Sequence, residues 1–324
     1  MVSALILTVT RQCNLRCSYC PTAKDGWPSL TDADALKALD LFETRFGGGD
    51  VKLFGGEPLL VPDVVRAVID DAAKRDGIRR VYLSTNGLGL DDAWLELVRA
   101  EPKLVLTVSL DGRPDDHRAH RRALPQVADV YGHVMGILPE LLRTPRVVVT
   151  QTIAPATAHA AHDNFGHLLG MGFRRFNLLP GYYLPWKDEQ LKALKRGFGR
   201  IAQTIRERWE RDEHLYLRNL FTWAPTPFFN TGLVVDADRS IHANNAGLSG
   251  SLESMLDQTR VGDLDDPPTP EALAAKSQQV NRLLEAALSP HVWQSTLAVD
   301  AELSRLCRSL YPPFVRYRQR RRAA

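Results

Sequence analysis

The chain of 324 residues lacks any apolar run approaching the roughly 20 residues that cross a bilayer, so no membrane partner is expected. Its start, Met1-Val2-Ser3-Ala4-Leu5, has no basic region ahead of the apolar stretch, which argues against a signal peptide. The net charge is only +3, too small to imply a nucleic-acid partner by itself. Internal repeats and low-complexity blocks are missing too. Cysteine is scarce, with four in all, too few to staple a chain of this size with disulfides. Three of the four nevertheless fall within eight residues, as Cys13, Cys17 and Cys20, a clustering that suits a reducing cytoplasm. The remaining composition, 44% hydrophobic and 24% charged, is that of an ordinary globular protein. The length suffices for one large α/β barrel, or for a barrel with an appendage.

Up to Pro180 the pattern alternates short β-branched runs with amphipathic segments. Strands are predicted at 5–10, 51–54, 80–84, 104–108, 147–153 and 176–179. A helix starts at Thr31, with Asp32 and Asp34 in its first turn and Ala35, Leu39, Phe42 and Phe46 on one face. Others are expected over 62–74, 91–98 and about 126–142, the last after a polar loop rich in Arg and His. Strands spaced by helices imply a parallel sheet with right-handed crossovers. Six such units fit an α/β fold, a partial (β/α)6 TIM-like barrel, whose chemistry sits at the C-terminal strand ends.

The first strand runs straight into Cys13-Asn14-Leu15-Arg16-Cys17-Ser18-Tyr19-Cys20. Three thiolates on one short loop suit a [4Fe–4S] cluster gripped at three corners, leaving one iron open to an outside ligand. A structural zinc would want a fourth protein ligand, and no His follows soon after Cys20. A disulfide arrangement would leave one thiol over.

The spacing C-x3-C-x2-C, with an aromatic before the last Cys, resembles the signature of radical SAM enzymes. The resemblance implies that S-adenosylmethionine (SAM) caps the open iron and is cleaved reductively to a 5′-deoxyadenosyl radical. It also implies an external electron donor such as flavodoxin or ferredoxin. The second strand ends in Gly55-Gly56-Glu57-Pro58, which resembles the family's GGEP motif, where backbone carbonyls and the Glu meet the SAM amino group. Ser84-Thr85-Asn86-Gly87 and Ser109-Leu110-Asp111-Gly112 end the third and fourth strands and look like family motifs, though Asx-Gly pairs are also plain turn formers. By resemblance Asn86 lies at the pocket floor, with Ser109 and Asp111 near the SAM ribose or carboxylate. Relatives often read D-G-x-x-x-x-H-D-x-x-R here; Arg121 matches the final Arg, which forks onto the SAM carboxylate. Arg118 replaces the Asp, a departure, and Arg122 is an alternative to Arg121. His117 and His120 are read as shaping the loop. Gln151 takes the place of a ribose-facing group, and Asn177 and Pro180 border the adenine.

Past Gly181 the pattern changes. Tyr182-Tyr183-Leu184-Pro185-Trp186 either leans over a substrate or packs on the next helix. Leu191, Leu194, Phe198, Ile201, Ile205 and Trp209 form a helical core stripe. The domain boundary is set here: 1–186 as the barrel, 187–324 as an α+β extension. The segment 228–242 reads as a hairpin with an Asp-rich turn. With the strand-like Val261-Gly262-Asp263-Leu264, it resembles the SPASM or twitch extension of peptide-modifying radical SAM enzymes, whose flanking cysteines hold auxiliary clusters. Asn230, Asn244 and Asn245 stand where thiols would be expected, so one cluster only is predicted. Asp265-Asp266-Pro267-Pro268 is read as a linker, and Thr269-Pro270 caps a helix to about Leu288. Cys307 is read as a buried packing thiol, with hydrogen-atom donation to a substrate radical as the alternative. The tail Arg316 to Arg322, with five arginines, is read as a solvated, partly frayed terminus, or else a grip for an acidic peptide or a phosphate backbone.

The expected activity is therefore hydrogen abstraction from a ribosomally made peptide, giving epimerisation or a crosslink. With no auxiliary electron acceptor, a redox-neutral step or an external acceptor is favoured. The alternative is dehydrogenation, epimerisation or rearrangement of a small metabolite such as a sugar or amino-acid derivative. No winged-helix module precedes Leu5, so a discrete leader-peptide-binding protein, or the basic tail, would recognise a peptide.

Overall fold

In a computed structural model, residues 2–20, 22–222, 232–246 and 250–323 are described. They form two compact units, neither of them a continuous stretch of chain.

The first unit comprises Met1–Val108, Arg121–Val147 and Phe229–Leu288. Its centre is β1 (Ala4–Thr10), flanked in parallel by β2 (Gly49–Gly55), with β3 (Ile78–Thr85) and β4 (Leu104–Ser109) following outward, also parallel. Leu5, Leu7, Val9, Val51, Leu53 and Leu83 are fully buried, as continuous apolar runs in a sheet covered on both faces should be. The helix Asp32–Phe46 starts where expected: Thr31 and Asp34 cap each other reciprocally, and Ala35, Leu39, Phe42 and Phe46 point inward. The helices Pro62–Ala73 and Asp92–Ala100 also match their predictions. The single helix expected over 126–142 does not form. Two short helices, Val130–Gly136 and Leu138–Arg143, meet at Ile137, because Pro139 opens the second and has no N–H to continue the first.

On the other side of β1, the expected hairpin is present as β8 (Leu233–Val235) and β9 (Ser240–His242), extended by β10 (Arg260–Asp263). Its 228–231 portion, with Asn230, lies outside the described residues. β8 pairs in parallel with β1, Leu5 opposite Leu233 and Leu7 opposite Val235. The helix expected from Pro270 to Leu288 is interrupted at Gln278–Gln279, giving Pro270–Ser277 and Val280–Ala287.

The second unit comprises Ser109–His120, Val148–Phe228 and Ser289–Ala324. It holds β5 (Val147–Ile153), β6 (Arg175–Pro180) and the short β7 (Tyr216–Leu217), all parallel. The expected stripe lies on the helix Asp188–Glu210, with Leu194, Phe198, Ile201, Ile205 and Trp209 buried and Leu191 half-buried. The terminus is not frayed: one helix runs from Pro290 to Ala323. It is held by aromatic packing, with Tyr317 stacked on Trp209 at 5.8 Å, and by Arg320, which donates to the Trp209 carbonyl at 2.6 Å.

Candidate cofactor site

The cysteine loop leaves the end of β1 and is braced on two sides by backbone. The Gly56 and Glu57 N–H groups donate to the carbonyls of Thr10 and Gln12, both at 2.8 Å. Residues 122–124 form the other brace: Arg16 N–H reaches the Arg122 carbonyl at 2.7 Å, and Leu124 N–H reaches that of Asn14 at 3.1 Å. The approach at the glycine corner is close. A Cβ on Gly55 would sit 2.0 Å from the Thr10 oxygen, and one on Gly56 would sit 2.1 Å from the Gln12 oxygen. Gly55 also holds φ +144. Only glycine fits both positions.

Glu57 is buried, and its carboxylate takes three donors: Thr85 Oγ1 at 2.7 Å, Asn86 N–H at 2.7 Å and Leu59 N–H at 3.1 Å. Burial raises its pKa, and those three bonds and the nearby Arg121 charge offset the effect only in part. Here the Glu of the quartet is a strut between the ends of β2 and β3. Asn86, 5% exposed, passes the brace on, since its Nδ2 donates to Asn14 Oδ1 at 2.8 Å within the cysteine loop. Arg121, 9% exposed, carries its guanidinium 5.5 Å from the Tyr19 ring. The predicted Cys13, Cys17, Cys20, Gly55, Gly56, Glu57, Pro58, Asn86 and Arg121 thus all belong to the first unit.

The three thiols are half-buried. Cys13 Sγ accepts the Leu15 N–H at 3.3 Å, and burial nevertheless pushes its pKa up to about 11. At Cys20 burial acts in the same sense, but Lys24, whose Nζ lies 3.3 Å from the sulfur, and the Thr22 groups outweigh it and lower the pKa. A cavity of about 320 Å³ opens beside the loop, lined by Arg16, Cys17, Cys20, Thr22, Ala23, Lys24 and Asp25. Among the described residues no three His, Cys, Asp or Glu side chains gather closely enough to grip a single metal ion. Three soft donors spread along one loop, beside a cavity and next to a cation that favours thiolate, fit an inorganic cluster larger than one ion.

Other predicted residues lie in the second unit. Ser109 is half-buried at the end of β4. Asp111 is buried, its Oδ1 accepting the Thr152 N–H at 3.1 Å and its own N–H donating to His117 Nδ1 at 3.4 Å. His117 and His120 lie on a helix, Pro114–His120, rather than in the loop expected. Gln151 is buried on β5, donating to the Ala161 carbonyl at 3.0 Å while its Oε1 has no partner among the described residues. Asn177 donates to Thr150 Oγ1 at 3.3 Å, and Pro180 ends β6. The aromatic residues after β6 are buried, but the loop's side-chain partners lie on the terminal helix Pro290–Ala323 rather than on the next helix. Tyr182, Tyr183 and Trp186 are buried, Tyr182 donates to Asp300 at 3.1 Å, and Trp186 N–H donates to Ser295 Oγ at 3.0 Å. Cys307 is 3% exposed on the same helix as Asp300, and burial pushes its thiol up to about 12. Asn14, Lys24 and the 122–124 brace went unnoticed in the sequence. The one signal for Lys24 was a cation four residues past the last loop cysteine.

The fold is thus α/β with mostly parallel strands, a three-thiol loop at the end of β1 and a glycine corner at the end of β2. Residues 7–130 match the family model of the radical SAM superfamily, whose members use a [4Fe–4S] cluster and SAM. Among curated proteins it is similar to the GTP 3′,8-cyclase of Geobacter sulfurreducens, 38% identical over 127 residues, covering 37% of this chain and 38% of that one. It is also similar to the GTP 3′,8-cyclase of Streptomyces coelicolor, 37% identical over 117 residues, 34% of each chain. The chain therefore spans little more than a third of the length of these relatives. Among solved structures, native anSMEcpe with bound AdoMet aligns over 97% of this chain and 99% of its own, with TM-score 0.71 and 15% identity. Streptococcus suis SuiB bound to precursor peptide SuiA aligns over 91% and 66%, with TM-score 0.61 and 12% identity. At such identities the likeness is one of fold.

Proposed function

We propose that this protein is an enzyme that cleaves SAM reductively and uses the resulting radical to abstract hydrogen from a ribosomally made peptide. The observation that carries the first half is the cysteine loop clamped to the Gly55–Pro58 corner. The cluster, when bound, supplies the electron that breaks the SAM carbon–sulfur bond. Cys13, Cys17 and Cys20 would hold it, and Lys24, 3.3 Å from the Cys20 sulfur, would favour the thiolate there. Glu57 and Asn86 would keep the loop from shifting under the reactants, where an ångström of misplacement is costly. Arg121, partly shielded from water, would offer a fixed cation to the SAM carboxylate.

The peptide half is supported by the fold likeness to native anSMEcpe with bound AdoMet and Cp18Cys peptide, which extends over 96% of this chain and 98% of that one. An external reductant is required. With cysteine absent between Cys20 and Cys307, the outcome proposed is epimerisation or another step that leaves the peptide at its starting oxidation level. A second electron from that reductant and a proton from solvent would close the substrate radical. A second reading, a nucleotide or other small metabolite, is favoured by the sequence relatives, whose matched stretch overlaps the loop-bearing half. Reconstituted protein with reductant and SAM should release 5′-deoxyadenosine, and Cys17→Ala should release none; cleavage retained in that variant sinks the proposal. Deuterium carried into 5′-deoxyadenosine from a labelled peptide supports the peptide. Transfer from a labelled nucleotide, and not from peptide, establishes the second reading.

A further inference from the structure

Arg11, two residues before Cys13, is fully buried, as is Asp236 at the end of β8. The two form a forked ion pair: Arg11 Nε donates to Asp236 Oδ1 at 3.1 Å, and Nη2 makes a close contact with Oδ2. The guanidinium also lies over the Trp27 ring, 3.4 Å from its centroid. Residues 11 and 27 flank the cysteine loop on its two sides, so this one side chain closes the loop at its base. Its backbone is equally confined, since a Cβ on Gly56 would meet the Arg11 oxygen at 2.3 Å. Asp236 is itself held. Its Oδ1 accepts the Ala237 N–H at 2.7 Å, its N–H donates to the Ser240 carbonyl, and its carbonyl accepts the Arg239 N–H, both at 2.9 Å. Two charges are taken out of water here between residues 225 apart in sequence, an arrangement that is favourable only with well-held geometry.

We infer that Asp236 is a positioning residue for the cofactor loop, acting through Arg11, and that the hairpin of β8 and β9 is part of the frame of the cofactor site. The consequence for the cluster rests on the reading above; the consequence for the loop does not. Among the described residues the hairpin holds no group of three metal-gripping side chains. It brings a carboxylate that orients the guanidinium under the loop.

The test is alkylation of the full-length apoprotein by iodoacetamide, read by mass spectrometry at each cysteine, alongside iron retained after reconstitution. Asp236→Asn should raise labelling of Cys13, Cys17 and Cys20 severalfold, leave Cys307 unchanged and at least halve the iron retained. The double variant Arg11→Met with Asp236→Leu replaces the pair with apolar bulk that keeps the fold. It should melt no lower than the native protein and still label faster in the loop, which a merely stabilising pair would not predict. Val65→Ala, a buried cavity variant elsewhere in the first unit, should leave loop labelling unchanged. Native labelling rates in both pair variants overturn the inference, as does an equal increase in Val65→Ala. If Cys17→Ala retains native iron, the cluster reading fails, and the alkylation result still decides the role of Asp236.

Discussion

Glu57 Oε2 accepts the backbone N–H of Asn86 at 2.7 Å, and the Asn86 side chain then holds Asn14 between the first two cysteines. The end of β2 is thus joined to the cysteine loop through the end of β3. Glu57→Ala leaves three buried donors without an acceptor, and an unsatisfied buried group costs about 1–3 kcal/mol. Urea unfolding of the apoprotein should show a loss of roughly 2–3 kcal/mol. A loss of a few tenths would mean that Glu57 is no strut.

The glycine corner allows a sharper test. Gly56→Ala puts a methyl 2.1 Å from the Gln12 oxygen, so the backbone carrying the cysteines must move. Formation of 5′-deoxyadenosine should fall about a hundredfold or more. Gly136→Ala, where an added Cβ meets nothing within 4 Å, should leave the rate unchanged.

Cys307 is buried, with its thiol pushed up to about 12, so it is neutral at physiological pH. Iodoacetamide should spare it in the folded protein. Cys307→Ala should cost about 1 kcal/mol of stability and leave SAM cleavage intact. Abolished incorporation of solvent hydrogen into product, with SAM cleavage unchanged, would instead mark Cys307 as a hydrogen donor.

His242 on β9 is buried between Ser240 Oγ at 2.7 Å and Thr259 Oγ1 at 3.1 Å. Burial holds its pKa below the ordinary 6.5, with Asp236 and Asp238 opposing only in part. The unfolded chain then takes up a proton that the folded one refuses. This contribution to stability is complete above about pH 6.5 and is lost as the pH falls towards the folded value. Between about pH 7.5 and 5.5 the unfolding midpoint should fall more steeply for the native protein than for His242→Gln. Equal slopes would assign the loss to other groups.

Much of the site could be read in the chain because it is local. Three thiols on one loop, Gly-Gly before a Pro, and the Thr31–Asp34 capping box each concern residues a few positions apart. Period and spacing report such features directly. The break at Ile137 escaped because apolar residues continue through it and only Pro139 betrays the lost N–H. The helical terminus escaped because its charge pattern suggests solvent, whereas Tyr317 and Phe314 pack on Trp209.

By itself the sequence determined the alternation of strand and helix, the gathering of three thiols on one loop and the glycines where backbones nearly touch, since these depend on neighbours in the chain. Only the tertiary structure decided that Glu57 is a strut, that the 122–124 segment braces the loop, and that Asp236 sits beneath Arg11. Buried polar groups take whichever partner the folded chain brings within reach, and a partner 225 residues away leaves no periodic trace.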